Sequence, residues 1–225
     1  MTDNSIPLKI ASVFVFIGFL MTLGLTASTL LSPEGSQLYT ATDPQVLINE
    51  IASSTVADID IRLAGIGFDT FFIVGYMAIF YGFFVLTKDK ESFFAKLALA
   101  LGLTTGFCDL VENAIHVALL NGIPAGWSPD GLYFAALWSF TFVKDLASYM
   151  AAMIFIVLLV FIMNDPPNLR SYKLILAIFV GLYVVIGCIA IVDSSFLIVR
   201  NLSFMLTMPL GAFILFRISN TIASS

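Results

Sequence analysis

Six long apolar runs constrain this chain more than any other feature. They lie at 8–31, 62–86, 94–120, 133–163, 173–193 and 197–216. A helix crosses about 30 Å of hydrocarbon in roughly 20 mostly apolar residues, and every run reaches that length. Inside lipid the backbone has no water to bond, so only helices and closed barrels can cross. A barrel strand needs only about 9–11 residues, and these runs are far longer and unbroken. The expected fold is therefore all-α. It is a polytopic membrane protein with a bundle of six transmembrane helices in one integral domain, 1–225.

Composition excludes the competing classes. Hydrophobic residues make up 60% of the chain and charged residues 11%, with a mean hydropathy of +1.02. A soluble domain carries about 25% charged residues. A soluble globular enzyme, a disordered chain and a disulfide scaffold are all ruled out. Ten Lys+Arg against fifteen Asp+Glu give a net charge of −5 and no basic patch, so no nucleic-acid partner is expected.

The basic residues set an orientation. Lys9, Lys88, Lys90, Lys96, Arg170, Lys173 and Arg217 all fall on one side of a six-span topology. By the positive-inside rule that side is cytoplasmic, which puts both termini inside and predicts a multi-pass protein of the plasma (inner) membrane. Glu34, Asp43, Glu50, Asp58, Asp60 and Asp130 fall on the other side, with Arg62 and Arg200 at its margin. The apolar core of the first run is longer than the 7–15 residues of a cleaved signal, so it reads as a retained span. Cleavage near Ala27 would leave five spans in the same orientation. Cys108 and Cys188 both lie inside spans, and buried inert thiols are the expectation.

The one long connection, 32–61, contains Asp43-Pro44, a capping side chain followed by proline at the first helical position. Ile48, Ile51, Ala52, Thr55, Val56, Ile59 and Leu63 then recur at helical spacing, with Gln45, Asn49, Glu50, Ser53 and Asp58 opposite. This predicts an outer-surface amphipathic helix between spans one and two, leading into span two. Its polar face is acidic, so attraction to anionic lipid does not explain it. It either caps the bundle or acts as a lid over a site. The connection 121–132 is rich in Gly and Pro, with Trp127 and Tyr133 suited to an interfacial belt.

The informative residues are the ionisable ones within spans: Asp69, Asp109, Glu112, His116, Lys144 and Asp145. Each costs about 2.5–3.5 kcal/mol at mid-bilayer on insertion scales, so such groups face the bundle interior, pair, or line water. At about 100° per residue, Gly102, Gly106, Asp109, Asn113 and His116 form one stripe, bordered by Glu112. Ala98, Gly102 and Gly106 make a small-xxx-small ladder, predicting close helix approach. Thr141, Lys144, Asp145, Ser148 and Ala152 form a second stripe, and Arg62, Gly65, Asp69 and Tyr76 share a face. All the charges fall in the outer halves of their spans, with Asp193, Arg200 and Asn201 at the outer ends of spans five and six. Four acids against Lys144 and His116 leave the cluster net negative, so protons, a cation or a cationic ligand should balance it.

Three readings follow. In the leading one a polar pocket binds a small or lipid-like ligand, with acid/base chemistry available. His116 would be the general base, oriented by Glu112 or Asp109, and Lys144 would stabilise an oxyanion or phosphate. Asp69, Asn113, Asp145, Ser148, Tyr76 and Arg200 would contact the ligand. In the second, Lys144 pairs with Asp109 or Glu112 only to fix how spans three and four dock, in a structural or assembly subunit. In the third, surplus acids beside a lysine serve a proton- or cation-coupled carrier. The expected surroundings are membrane lipid, with a homo-oligomer or a partner membrane subunit both open. No cofactor is expected. A single histidine cannot build a three-histidine zinc site, and Glu112 and His116 stand four apart rather than at the three of a di-iron Glu-x-x-His element. The chain has no Gly-x-Ser-x-Gly, P-loop or dinucleotide fingerprint.

Overall fold

The computed structural model describes residues 4–31 and 43–223. It contains α1 (Ser5–Leu31), α2 (Pro44–Ser53), α3 (Val56–Thr87), α4 (Ser92–Gly122), α5 (Gly131–Phe161), α6 (Arg170–Val192) and α7 (Leu197–Ala223). Two single 3₁₀ turns, Pro167–Leu169 and Ser194–Phe196, precede α6 and α7, and no strand occurs among the described residues. All the helices except α2 are long and apolar enough to span a membrane. The six-helix bundle and the additional helix between the first two spans are both present.

Helices outrun the apolar stretches because polar caps extend them. Asp130 opens α5 by accepting from the backbone of Leu132 at 3.0 Å and Tyr133 at 3.4 Å. Thr55 opens α3 with a capping box: its Oγ1 accepts from Asp58 N at 3.2 Å, and Asp58 accepts from Thr55 N at 3.1 Å. At the end of α5, buried Lys173 reaches back from α6. Its Nζ donates to the carbonyls of Ile162 at 2.6 Å and Asp165 at 2.7 Å. A cation there also suits the negative end of the helix dipole.

Neighbouring spans close a ring: α1 packs on α3, α3 on α4, α4 on α5, α5 on α6, α6 on α7, and α7 on α1. Gly82, near the end of α3, lies level with Ala11 and Leu215, so the start of α1 and the end of α7 share a face with the α3–α4 turn. Lys90 in that turn bonds Asp165 in the α5–α6 turn at 2.6 Å. The hydrogen bond and charge of Lys90 hold the Asp165 carboxyl below the usual range. We call this the basic face. The opposite face carries α2.

Three local expectations are corrected. Gly102 and Gly106 do not bring two backbones together. They hollow α4 to receive Phe80 and Met77 of α3. The close backbone approach is instead between α1 and α3, where a Cβ on Gly18 would lie 2.7 Å from Gly75 Cα. The amphipathic helix does not run into span two. It stops at Ser53, and Ser54 and Thr55 are extended before α3 begins. The Thr55–Asp58 capping box takes the hydrogen bonds that a continuous helix would need. Leu47 and Ile51 are the residues α2 buries, while Ala52 and Val56 are exposed. Finally, Cys108 is buried but Cys188 is exposed on the side of α6, and both are free thiols.

Candidate functional site

Helical geometry builds the centre of the molecule. Asp109, Glu112, Asn113 and His116 stand at i, i+3, i+4 and i+7, so α4 presents them on one face. Glu112, Asn113 and His116 are enclosed, each under 5% exposed. Lys144 of α5 reaches across to them. Its Nζ lies 2.6 Å from Glu112 Oε2 and donates to Asp109 Oδ1 at 3.1 Å. The second oxygen of Asp109 accepts the Tyr76 hydroxyl of α3 at 2.9 Å. A turn further from the basic face, Asn113 Nδ2 donates to Asp69 Oδ2 at 2.8 Å and to Thr70 Oγ1 at 3.5 Å.

The neighbour of Lys144 faces elsewhere. Consecutive helical residues point about 100° apart, so Lys144 turns to α4 while Asp145 turns to α7. Arg200 Nη1 donates to Asp145 Oδ1 at 3.3 Å and to the Tyr149 hydroxyl at 3.2 Å. Arg200 Nε also donates to Asn201 Oδ1 at 3.1 Å. Ser148 Oγ donates to the carbonyl of Asp145 and lies 2.8 Å from the Tyr183 hydroxyl of α6. Two polar groups from five helices therefore meet back to back on α5.

The structure thus brings Asp69, Tyr76, Asp109, Glu112, Asn113 and Lys144 into one connected group. Asp145, Ser148 and Arg200 form the adjoining one. His116 is buried one turn beyond Glu112 on the same stripe. Arg200 was placed at a margin by its position in the chain, yet it supplies the second cation. The formal count becomes Asp69, Asp109, Glu112 and Asp145 against Lys144 and Arg200. Asp193 stands apart: it caps its own turn by accepting from Ser195 N at 3.0 Å, and hydrogen bonds from Ser195 hold its carboxyl below the usual range.

Tyr76 stands out in the sequence on the face of Asp69, but two further tyrosines, Tyr149 and Tyr183, do not. Tyr149 lies one turn from Asp145 and carries a usable helical signal. Tyr183 carries none, because its role depends on where α6 docks. Helical spacing also predicts Glu50 on the polar face of α2. In the structure Glu50 Oε1 lies 3.0 Å from Arg62 Nη2, with side chains only 11% and 3% exposed.

Apolar layers bound the centre on two sides. Toward the basic face the ring of Phe204 sits 5.9 Å from Tyr76, 5.8 Å from Phe72 and 4.9 Å from Tyr183, centroid to centroid. The tyrosine bodies pack in this floor while their hydroxyls point into the polar groups. Below the floor lies a cavity of about 20 Å³, lined by Ile79, Phe80, Phe155, Leu176, Tyr183 and Phe204. That is room for roughly one water. On the opposite side Leu47 and Ile51 of α2 pack with Ile66, Leu119, Leu120 and Phe134. Among the described residues, no three His, Cys, Asp or Glu side chains are grouped to hold a metal ion.

Fold and composition define a class, a polytopic six-helix membrane protein with charged residues inside the bundle. No family model, no curated protein and no solved structure matches the chain.

Proposed function

We propose that the charged centre binds a small or lipid-like ligand in the outer leaflet and handles a proton on it. The basic face is then cytoplasmic by the positive-inside rule, in a plasma (inner) membrane, and the centre lies at outer headgroup depth. The single observation supporting this reading is residual exposure of the charged side chains. The Lys144, Asp109, Asp145 and Arg200 side chains are still 14–27% exposed although they sit within apolar helices. Behind them Glu112, Asn113 and His116 are enclosed. In this reading Lys144 and Arg200 meet the anionic part of a ligand, and Asp69, Asn113, Tyr76, Asp145 and Ser148 orient it. His116, oriented by Glu112 or Asp109, moves the proton. The surplus of carboxyls over cations leaves a place for a proton or a cationic group.

The test is mass spectrometry of what the protein retains after gentle extraction into lipid nanodiscs. A discrete species held by the native chain, and lost in Lys144→Met and Arg200→Gln variants that keep their helical content, is the expected result. Retention of nothing beyond bulk lipid would count against a ligand.

One specific observation favours a second reading, helix docking in a structural or assembly subunit. Asp109, Glu112, Lys144, Asp145 and Arg200 each have a charged partner within 3.3 Å. That satisfied network could specify register without a ligand. A triple variant, Lys144→Met with Asp109→Asn and Glu112→Gln, separates the two. Docking predicts a folded protein with its cellular role intact, whereas a ligand site predicts a folded protein without it.

A further inference from the structure

We infer that α2 is a closed lid over the enclosed half of the charged centre, and that its displacement opens that half to the aqueous phase on the α2 face. The inference holds whichever occupant the centre takes.

The seat of α2 lies directly above the polar residues. Leu47 and Ile51 are at most 1% exposed and rest on residues of α3, α4 and α5. Each of those three helices passes from this seat to the centre within one or two turns. On α3, Ile66 lies one turn before Asp69. On α4, Leu119 and Leu120 lie one turn beyond His116. On α5, Leu137 lies two turns before Lys144. The apolar layer is therefore thin and separates the charges from water at this face. Lifting α2 would bare the apolar ends of three helices, which makes the closed position the resting one.

The attachment of α2 suits a moving part. At its end the Ser54 N–H bonds back to the Ile51 carbonyl at 3.2 Å, while α3 is capped separately by Thr55 and Asp58. Each helix closes its own hydrogen bonds, and two extended residues join them. α2 can swing there without unravelling either helix. The Glu50–Arg62 pair, at 3.0 Å and largely shielded from water, acts as a latch between lid and frame.

Cys108 is a natural reporter. It is 3% exposed and one turn from Glu112 on the same face of α4. In a Cys188→Ser protein it is the sole thiol. In nanodiscs, a charged methanethiosulfonate reagent should modify it slowly. Glu50→Gln, which releases the latch, and Ile51→Ala, which weakens the seat, should each raise that rate about tenfold by populating the open state. Val56→Ala, at a position 77% exposed, should leave the rate unchanged. A second reporter guards against general loosening. Ala151, 0% exposed on α5, is changed to Cys in a background lacking both native thiols. Its rate should not respond to either lid variant. Equal acceleration at both reporters, or no acceleration of Cys108 by either variant, overturns the lid.

Discussion

Lys144 is the residue on which the charged centre turns. Its ammonium sits between Glu112 and Asp109, and removing it leaves two carboxyls facing each other with little water. Breaking one side of a buried ion pair costs about 3–5 kcal/mol, whereas replacing the whole set by apolar or neutral groups is often neutral. Lys144→Ala should therefore lower thermal stability in nanodiscs sharply. The triple variant with Asp109→Asn and Glu112→Gln should recover most of it. Tyr76→Phe removes one hydroxyl donor from Asp109 and should cost about 0.5–1.5 kcal/mol. The exposed Lys90–Asp165 pair behaves differently. The carboxyl is held low, so its stabilisation is present above the ordinary carboxylate range and fades as pH falls through its own lower value. Being largely solvated it contributes at most about 1 kcal/mol. An Asp165→Asn variant should melt slightly earlier at neutral pH and match the native chain in acid.

At the scale of elements, two packing modes respond to very different degrees to the same kind of change. The contact between α1 and α3 at Gly18 and Gly75 is backbone on backbone. Gly75→Val would drive a side chain into the Gly18 backbone, which cannot yield, and the helices should separate. Gly106→Ala meets only the flexible Met77 side chain, and Gly67→Ala meets nothing within 4 Å. Melting temperatures should rise in that order, with Gly67→Ala near the native value. α2 is held by Leu47 and Ile51, with Ile48 partly buried beside them, and by the Glu50–Arg62 ion pair. Burying such a side chain is worth about 1.5–3 kcal/mol, and α2 buries fewer apolar side chains than any spanning helix does. Hydrogen exchange should accordingly be faster over 44–53 than over the middle of α3, and Ile51→Ala should widen the gap.

For the whole molecule, the testable property is direction across the membrane. In a chain lacking Cys108 and Cys188, Asp130→Cys should react with an impermeant reagent on intact cells. Lys88→Cys should react only after permeabilisation. The reverse pattern would invert the orientation and move the centre to the inner leaflet.

The six spans, their order and the gathering of basic residues at one end were readable because lipid imposes length and hydropathy on every crossing segment, whatever its neighbours. The identity of the charged residues was readable for the same reason, since each stands out against an apolar run and repeats at helical spacing. Pairing was not. Lys144 and Asp145 are adjacent in the chain, and only the docking of α4 and α7 on either side of α5 sends one to Glu112 and the other to Arg200. The role of Tyr183, the inward turn of Glu50 and the break at Ser54–Thr55 were hidden likewise. A side chain's partner depends on helix rotation and depth, which are set by many contacts at once and leave no local mark in the sequence.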